Sequence, residues 1–498
     1  MPKKINLPND KPKCACGIFG AFGSKDSSLL TYYGLHALQH RGQEASGIVS
    51  SHFDNKKKKQ TFNIFKGMGL VTDVFKDQTI LSDLLIGNSS IGHNRYSTAG
   101  SSKSRQNIQP FIVNYAFGNL AIAHNGNLTN FHKLRTELQN AGTIFQTTSD
   151  SEIFLHLIAR SKKKNQLDQI LEALNKVEGA FSLLILTDTS LIISRDAFGF
   201  RPLSIGKKGK SFVVSSETCA FDMINAEFIR EVKPGEVIVI DKNSLKSGKI
   251  KSYKLDKKVD ETRHCIFEYI YFSRPDSFIF GETVDNVRRK LGKALAQESP
   301  VKTIDHLETI VISVPDSSNT ATIGYASESE KQGINSKYEI GLIRNHYVGR
   351  TFIQPLQEDR EMKVKTKFNT VKNVLKGKRV IVVDDSIVRG TTSKQLVKLI
   401  KEASPAEIHM RITSPPIVQP CHYGMDFPSK KELIAVQCDN NVKKIEKELG
   451  VDSLHYLSIE KLLDSVPKSK KKNYCYACFG GKYPTPIEQG KTKEELDK

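Results

Sequence analysis

Arg379-Val380-Ile381-Val382-Val383-Asp384-Asp385-Ser386-Ile387-Val388-Arg389-Gly390-Thr391-Thr392 decides the fold of the second half of this chain. Its β-branched apolar run reads as a buried strand of a parallel sheet. From Ser393 onward the apolar residues Leu396, Val397, Leu399 and Ile400 fall at helical spacing. Between strand and helix lies a loop of small and hydroxylated residues, at the carboxyl edge of the sheet. Its backbone N–H groups and the helix N-terminus make a phosphate cradle. Two adjacent carboxylates before such a loop suit a sugar phosphate, since carboxylates accept from sugar hydroxyls while hydroxyls and amides donate to phosphate. A strand-turn-helix merely capped by an Asp pair is the plainer alternative, but Asp-Asp followed by Gly-Thr-Thr is more specific than a cap requires.

The stretch resembles the phosphoribosyl pyrophosphate (PRPP) loop of type I phosphoribosyltransferases. The resemblance implies an α/β domain in which Asp384, Asp385, Ser386, Arg389, Gly390, Thr391 and Thr392 bind PRPP. Upstream, Val311-Ile312-Ser313-Val314 reads as a strand ending in Pro315-Asp316-Ser317-Ser318, where a second oxyanion nest can form; a helix N-cap is the competing reading. By the same resemblance this is the pyrophosphate loop, with Asp316 and Ser317 as PRPP ligands. Mg²⁺, a hard cation, is then expected on oxygens of Ser317, Asp384 and Asp385. A helix is expected from Arg288 to about Glu298. The polar stretch from Arg344 to Lys367 suits a lid whose Arg350, Arg360 and Lys367 meet phosphate on closing, although solvated charge is the default for each.

The first half carries polar clusters beside strand-like apolar runs: Cys16-Gly17-Ile18-Phe19-Gly20, His40-Arg41-Gly42-Gln43-Glu44, Gly92-His93-Asn94-Arg95-Tyr96-Ser97-Thr98, His124-Asn125-Gly126-Asn127 and Thr148-Ser149-Asp150-Ser151-Glu152. Each belongs in a loop at one end of a sheet. In this order they resemble class II glutamine amidotransferases, which implies an αββα sandwich with an N-terminal nucleophile. It further implies removal of residues 1–15 as a propeptide, Cys16 as the mature N-terminus, Asn125 and the Gly126 N–H as oxyanion hole, Arg95 on the glutamine α-carboxylate and Asp150 on its α-ammonium. Physically, a freed α-amine with a pKa near 8 can act as base for the adjacent thiol. Cys14 lies two residues before Cys16, but only Cys16 is followed by Gly-Ile-Phe-Gly. Apolar runs such as Phe181 to Leu186 continue the sheets, and the lysine-rich stretch Asp241 to Lys258 reads as the boundary, set at 255/256.

Eight cysteines occur, at positions 14, 16, 219, 265, 421, 438, 475 and 478. No apolar signal core precedes them, and Met1 to Ala15 has no arginine, which argues against a transit peptide and for a cytoplasmic protein with cysteines serving metal or catalysis. Cys265, Cys421 and the pair in Cys475-Tyr476-Ala477-Cys478 supply four thiolates, a set suited to [4Fe–4S] or to structural zinc. Residue chemistry leaves the metal open. Cys219 and Cys438 read as structural.

At 498 residues the chain has room for two or three domains, and no run reaches membrane-span length. The net charge of +20 lies in short lysine runs without alternating aromatics, so it points to solvated loops or an anionic substrate more than to nucleic acid. From Cys16 to about Pro486 the chain resembles the bacillus-type glutamine PRPP amidotransferases. That resemblance implies glutamine and PRPP as substrates, Mg²⁺ and a structural [4Fe–4S] cluster on Cys265, Cys421, Cys475 and Cys478, feedback by purine nucleotides, and a homotetramer with no nucleic-acid or membrane partner. The alternative is a PRPP-binding regulator of nucleic acid, which would have no use for Cys16, Arg95, Asn125 and Asp150. Asparagine synthesis on the same glutaminase domain would need a Ser-Gly-Gly motif, which the chain lacks.

Overall fold

The computed structural model describes residues 16–96, 104–257, 259, 261–302, 306–345, 367–467 and 473–487. Cys14, Ser97, Thr98, Arg350 and Arg360 lie outside them, as do residues 1–15, the expected propeptide, and most of the expected lid.

Two antiparallel sheets build the first half. One has seven strands, in spatial order Glu227–Glu231, Ser204–Lys208, Ser211–Ser215, Gly17–Phe22, Ser89–Arg95, Ala45–Asp54 and Lys59–Met68. The other has six, in the order Lys251–Lys254, Glu236–Asp241, Ser190–Arg195, Gly179–Thr187, Gly118–Leu128 and Phe111–Tyr115. Ile18, Ile91 and Val214 of the first sheet meet Ala121, Leu184 and Ile193 of the second in one core between them. Helix Ser27–Ala37 covers the outer face of the first, and helices Glu152–Arg160 and Gln166–Lys176 cover that of the second. The layers are therefore αββα. Sheet faces covered on both sides explain why Gly179–Thr187 is buried at every position and reads as continuous rather than alternating. The lysine-rich stretch still holds helix Lys242–Ser247 and the edge strand Lys251–Lys254, so first-half structure runs to its end.

The second half has a five-stranded, all-parallel sheet in the order Ser336–Tyr338, Thr309–Ser313, Arg379–Asp384, Glu407–Ile412, Ser453–Tyr456. Alternation along the strands feeds two cores. Val311, Ile381 and Val383 pack with helix Val284–Glu298, while Ile312, Val380 and Val382 pack with helix Thr391–Lys401. The first of these helices begins at Val284, four residues before the Arg288 start expected from sequence. Thr283 precedes it, Val284 and Val287 are buried in the core, and Asp285 pairs with Arg289 one turn on at 2.7 Å, so the segment before Arg288 is a packed first turn rather than a loop.

Candidate functional site

Strand Gly17–Phe22 pairs with Ser89–Arg95, with Gly17 opposite Asn94. That register sets Cys16 beside Arg95 and Tyr96: the Cys16 thiol donates to the Tyr96 carbonyl at 3.3 Å and accepts from its amide at 3.5 Å. The end of Gly118–Leu128 delivers His124-Asn125-Gly126 from the other sheet. Asp150 stands just before helix Glu152–Arg160, its Oδ2 accepting the Leu128 amide at 2.9 Å. Cys16, Arg95, Gly126 and Asp150 line one pocket, with His93, Tyr96, Asn107, Gln109, His124, Ser149 and Ser151. Asn125 is wholly buried, and neither its amide nitrogen nor its oxygen has a hydrogen-bond partner. A buried unsatisfied amide costs about 1–3 kcal/mol, so its retention implies a use. Gly126 is sterically required: a Cβ there would lie 2.0 Å from the Ala180 carbonyl oxygen.

The electrostatics bear on how the thiol is activated. Burial pushes Cys16 up to about 12 against the opposing pull of Arg95, and burial pushes His93 down to about 3. His124 is lowered by burial too, despite Asp150 3.8 Å away. Burial thus favours the neutral form of both imidazoles.

Among the residues that sequence reasoning left without a role, Gln109 accepts the His124 amide at 2.8 Å and donates to Ser151 at 3.0 Å, and Asn107 exchanges hydrogen bonds with Thr148. These side chains brace two motif clusters. The Gln109-Pro110 dipeptide carries no signal of that role.

In the parallel sheet, Thr309–Ser313 and Arg379–Asp384 are neighbours with Ser313 opposite Val383, so their carboxyl-end loops meet. Ser317 Oγ donates to Asp385 Oδ2 at 2.5 Å, Ser318 Oγ to Asp384 Oδ1 at 3.1 Å, and Ser386 Oγ to Asp385 Oδ1 at 2.7 Å. Asp316 pairs with Arg344 at 2.8 Å, and Arg389 with Glu432 at 3.1 Å. Gly390 precedes helix Thr391–Lys401 in the left-handed conformation (φ 78°), with no side-chain cap on the first amides of the helix. Thr391 and Thr392 form the first turn of that helix.

Four thiols converge between the halves. Cys265 and Cys475 are partners in a short parallel ladder, and the Cys478 carbonyl accepts the amides of Val418 and Gln419 just before Cys421. Burial pushes Cys265 up to about 12, and Cys475 and Cys478 rise through burial and the field of their companion cysteines. The described cysteines are all free thiols. Among the described residues no group of three or more His, Cys, Asp or Glu is arranged to hold a single metal ion. No described helix is long and apolar enough to cross a membrane.

Comparison with known proteins agrees with this geometry. Residues 93–223 match a family model described as a glutamine amidotransferase domain. The chain is 49% identical over 481 residues to the chloroplastic amidophosphoribosyltransferase of Vigna aconitifolia, covering 96% of this chain and 93% of that one. It is 47% identical over 478 residues to the amidophosphoribosyltransferase of Bacillus subtilis, covering 95% of each. The solved structure of glutamine PRPP amidotransferase from B. subtilis, complexed with ADP and GMP, is similar at 46% identity with a TM-score of 0.86, over 97% of this chain and 100% of that one. A nucleic-acid-binding regulator is not favoured. With such identity across nearly the full length of both chains, this chain belongs to the amidophosphoribosyltransferase family, the glutamine-dependent pentosyltransferases of purine biosynthesis.

Proposed function

We propose that Cys16, freed by removal of residues 1–15, hydrolyses glutamine in the pocket it shares with Arg95, Gly126 and Asp150, and that the ammonia attacks C1 of PRPP at the joined loops of the parallel sheet. The freed α-amine takes the Cys16 thiol proton. The thiolate adds to the glutamine side-chain amide, the oxyanion is met by the Asn125 amide and the Gly126 N–H, and ammonia leaves. Water then cleaves the thioester to glutamate. Arg95 and Asp150 hold the α-carboxylate and α-ammonium, which fixes the side-chain amide over the sulfur. The domains are a propeptide at 1–15, the glutaminase at 16–255 and the phosphoribosyltransferase at 256–498.

In the second site, the segment Ser386 to Thr392 receives the 5-phosphate on its amides and hydroxyls, with Arg389 and Gly390 within it. Asp384 and Asp385 accept from the ribose hydroxyls, and Asp316 and Ser317 face the pyrophosphate. Ammonia displaces pyrophosphate to give 5-phosphoribosylamine. Ser317, Asp384 and Asp385 offer hard oxygens and fit Mg²⁺, which typically takes one or two carboxylates together with substrate phosphate and, when bound, neutralises the leaving group. Cys265, Cys421, Cys475 and Cys478 lie within one another's electrostatic field and supply the four thiols a [4Fe–4S] cluster takes; the resemblance to the bacillus-type enzymes favours that cluster over zinc. The cluster pins distant segments. Purine nucleotides as feedback ligands follow from the ADP and GMP bound to the B. subtilis relative. A homotetramer in the cytoplasm completes the proposal, the latter matching free thiols throughout the described residues.

The observation that carries the reading is the wholly buried Asn125 amide, left without partners next to the Cys16 pocket. The test is intact mass and glutaminase rate on one purified sample. A mass beginning at Cys16, with activity lost in Cys16→Ser, supports it. Full activity in a chain that retains residues 1–15 overturns it.

A further inference from the structure

Arg41, in the first-half motif His40 to Glu44, and Glu268 and Arg288, in the second half, have no part in either site as built above. They are nevertheless buried, with side chains of Arg41 and Glu268 wholly so. Arg41 forks onto Glu268 through Nη2 to Oε1 at 2.8 Å and Nη1 to Oε2 at 3.0 Å. Its Nε donates to the carbonyl of Cys16, the nucleophile, at 3.2 Å. Arg201 donates to the same Glu268 Oε1 at 3.1 Å, and its remaining nitrogens hold the Tyr423 carbonyl at 2.6 and 3.1 Å. The next residue, Gly424, lies close to Gly126: a Cβ added there would stand 3.2 Å from both the carbonyl carbon and the carbonyl oxygen of Gly126.

The other side of Glu268 leads to the second site. Ser273 Oγ donates to Glu268 Oε2 at 2.8 Å, and the Ser273 carbonyl accepts from Arg288 at 2.9 Å. Arg288 also donates to the carbonyl of Ser317, at 3.4 Å, and Ser317 is the residue bonded to Asp385. Arg288 touches backbone carbonyls of Tyr269, Ser273 and Ser317, and burial pushes it down to about 10. A buried arginine spent on carbonyls defines backbone position rather than pairing charge.

We propose that Glu268 is the positioning residue that holds the Cys16 carbonyl, the Tyr423–Gly424 turn against Gly126, and the Ser317 loop in one register, so that its charge ties glutamine hydrolysis to phosphoribosyl transfer. It touches neither substrate and acts through Arg41, Arg201 and Ser273. The inference rests on the site assignment above. That assignment fails on its own terms if Cys16→Ser keeps glutaminase activity.

The test is Glu268→Gln, which keeps shape but turns a donor toward arginines, compared with parent as the full processed chain with its cluster. Glutamate and pyrophosphate release are measured separately, with glutamine and then with ammonium as nitrogen source. Misplacement by a fraction of an ångström predicts a loss of about tenfold or more in glutaminase kcat/KM, a raised KM for PRPP with ammonium, and several glutamates released per pyrophosphate. A residue of merely structural importance would lower both rates by one factor, with KM values and the glutamate-to-pyrophosphate ratio at parental values; that result overturns the proposal. Should Glu268→Gln not fold, Ser273→Ala decides. It removes one hydroxyl on the path to Ser317, and a parental ratio in that variant equally overturns the proposal.

Discussion

Asn125→Ala separates catalytic from structural reasons for burying an amide. The side chain is fully enclosed, and both of its polar atoms lack partners. The folded protein therefore carries a desolvation cost of about 1–3 kcal/mol for that group. Alanine removes the cost and leaves a small cavity, whose own penalty of about 24 cal/mol per Å³ acts in the opposite direction. The two terms nearly cancel, and the melting temperature is expected to stay close to the parent. Catalysis has no such compensation. Losing one oxyanion donor costs about 10²–10³ in kcat, or about 2.7–4 kcal/mol of transition-state stabilisation. The assay is glutamate release at saturating glutamine, beside pyrophosphate release driven by ammonium, which bypasses the first site. The expected pattern is a drop of at least 100-fold in glutaminase kcat, little change in glutamine KM, and ammonium-driven activity at parental level. A kcat within about threefold of parent, or a large fall in melting temperature, refutes the reasoning. The first outcome says the amide faces no oxyanion; the second says it has structural partners.

Ser317→Ala removes the 2.5 Å hydrogen bond to Asp385 and an oxygen of the proposed Mg²⁺ set, so the KM for PRPP is expected to rise about tenfold while glutamine hydrolysis measured without PRPP is unchanged; steady-state kinetics of each half-reaction check this. Cys475→Ser is expected to abolish the broad visible absorption of the proposed cluster and to lower the melting temperature, because Cys475 also forms the short ladder with Cys265; an intact spectrum removes Cys475 from the proposed ligand set. Burial works against the Glu217 carboxylate, but His40 and Arg41 outweigh it and hold the group well below its ordinary 4.5. Since the folded form binds its proton more weakly than the unfolded one, this stabilisation is complete above about pH 4.5 and drains away as pH falls below it. Glu217→Gln should therefore lower the melting temperature at pH 7 and flatten its decline between pH 5 and 3, as thermal melts across that range would show.

What could be read from the chain in advance follows the range over which each feature is encoded. The phosphate cradle is local. Asp384 through Thr392 are contiguous, and strand, loop and helix are each declared by residues within a turn or two. The glutaminase clusters are also short, and each sits at a strand end or helix start, so their order along the chain sufficed to collect Cys16, Arg95, Gly126 and Asp150 into one pocket. Helix Val284–Glu298 was misplaced at its start because Val284 to Val287 is a single turn with one charged pair, and no side chain caps it to mark the boundary.

Long-range partners were out of reach. The Arg41–Glu268 fork joins residues 227 positions apart, and Arg201 meets the Tyr423 carbonyl across 222. In sequence, Glu268 stands in an aromatic run, Glu268-Tyr269-Ile270-Tyr271-Phe272, and nothing in that run marks its partners. Its burial becomes affordable only when two arginines from the other half arrive, and neither arginine is marked for that purpose in its own neighbourhood. Local loops thus announce the residues proposed to bind small anionic and amide substrates. The alignment of one site with the other is written in pairs that only the folded chain brings together. A substitution at Glu268 is accordingly expected to leave both motif sets intact and still separate the two chemistries.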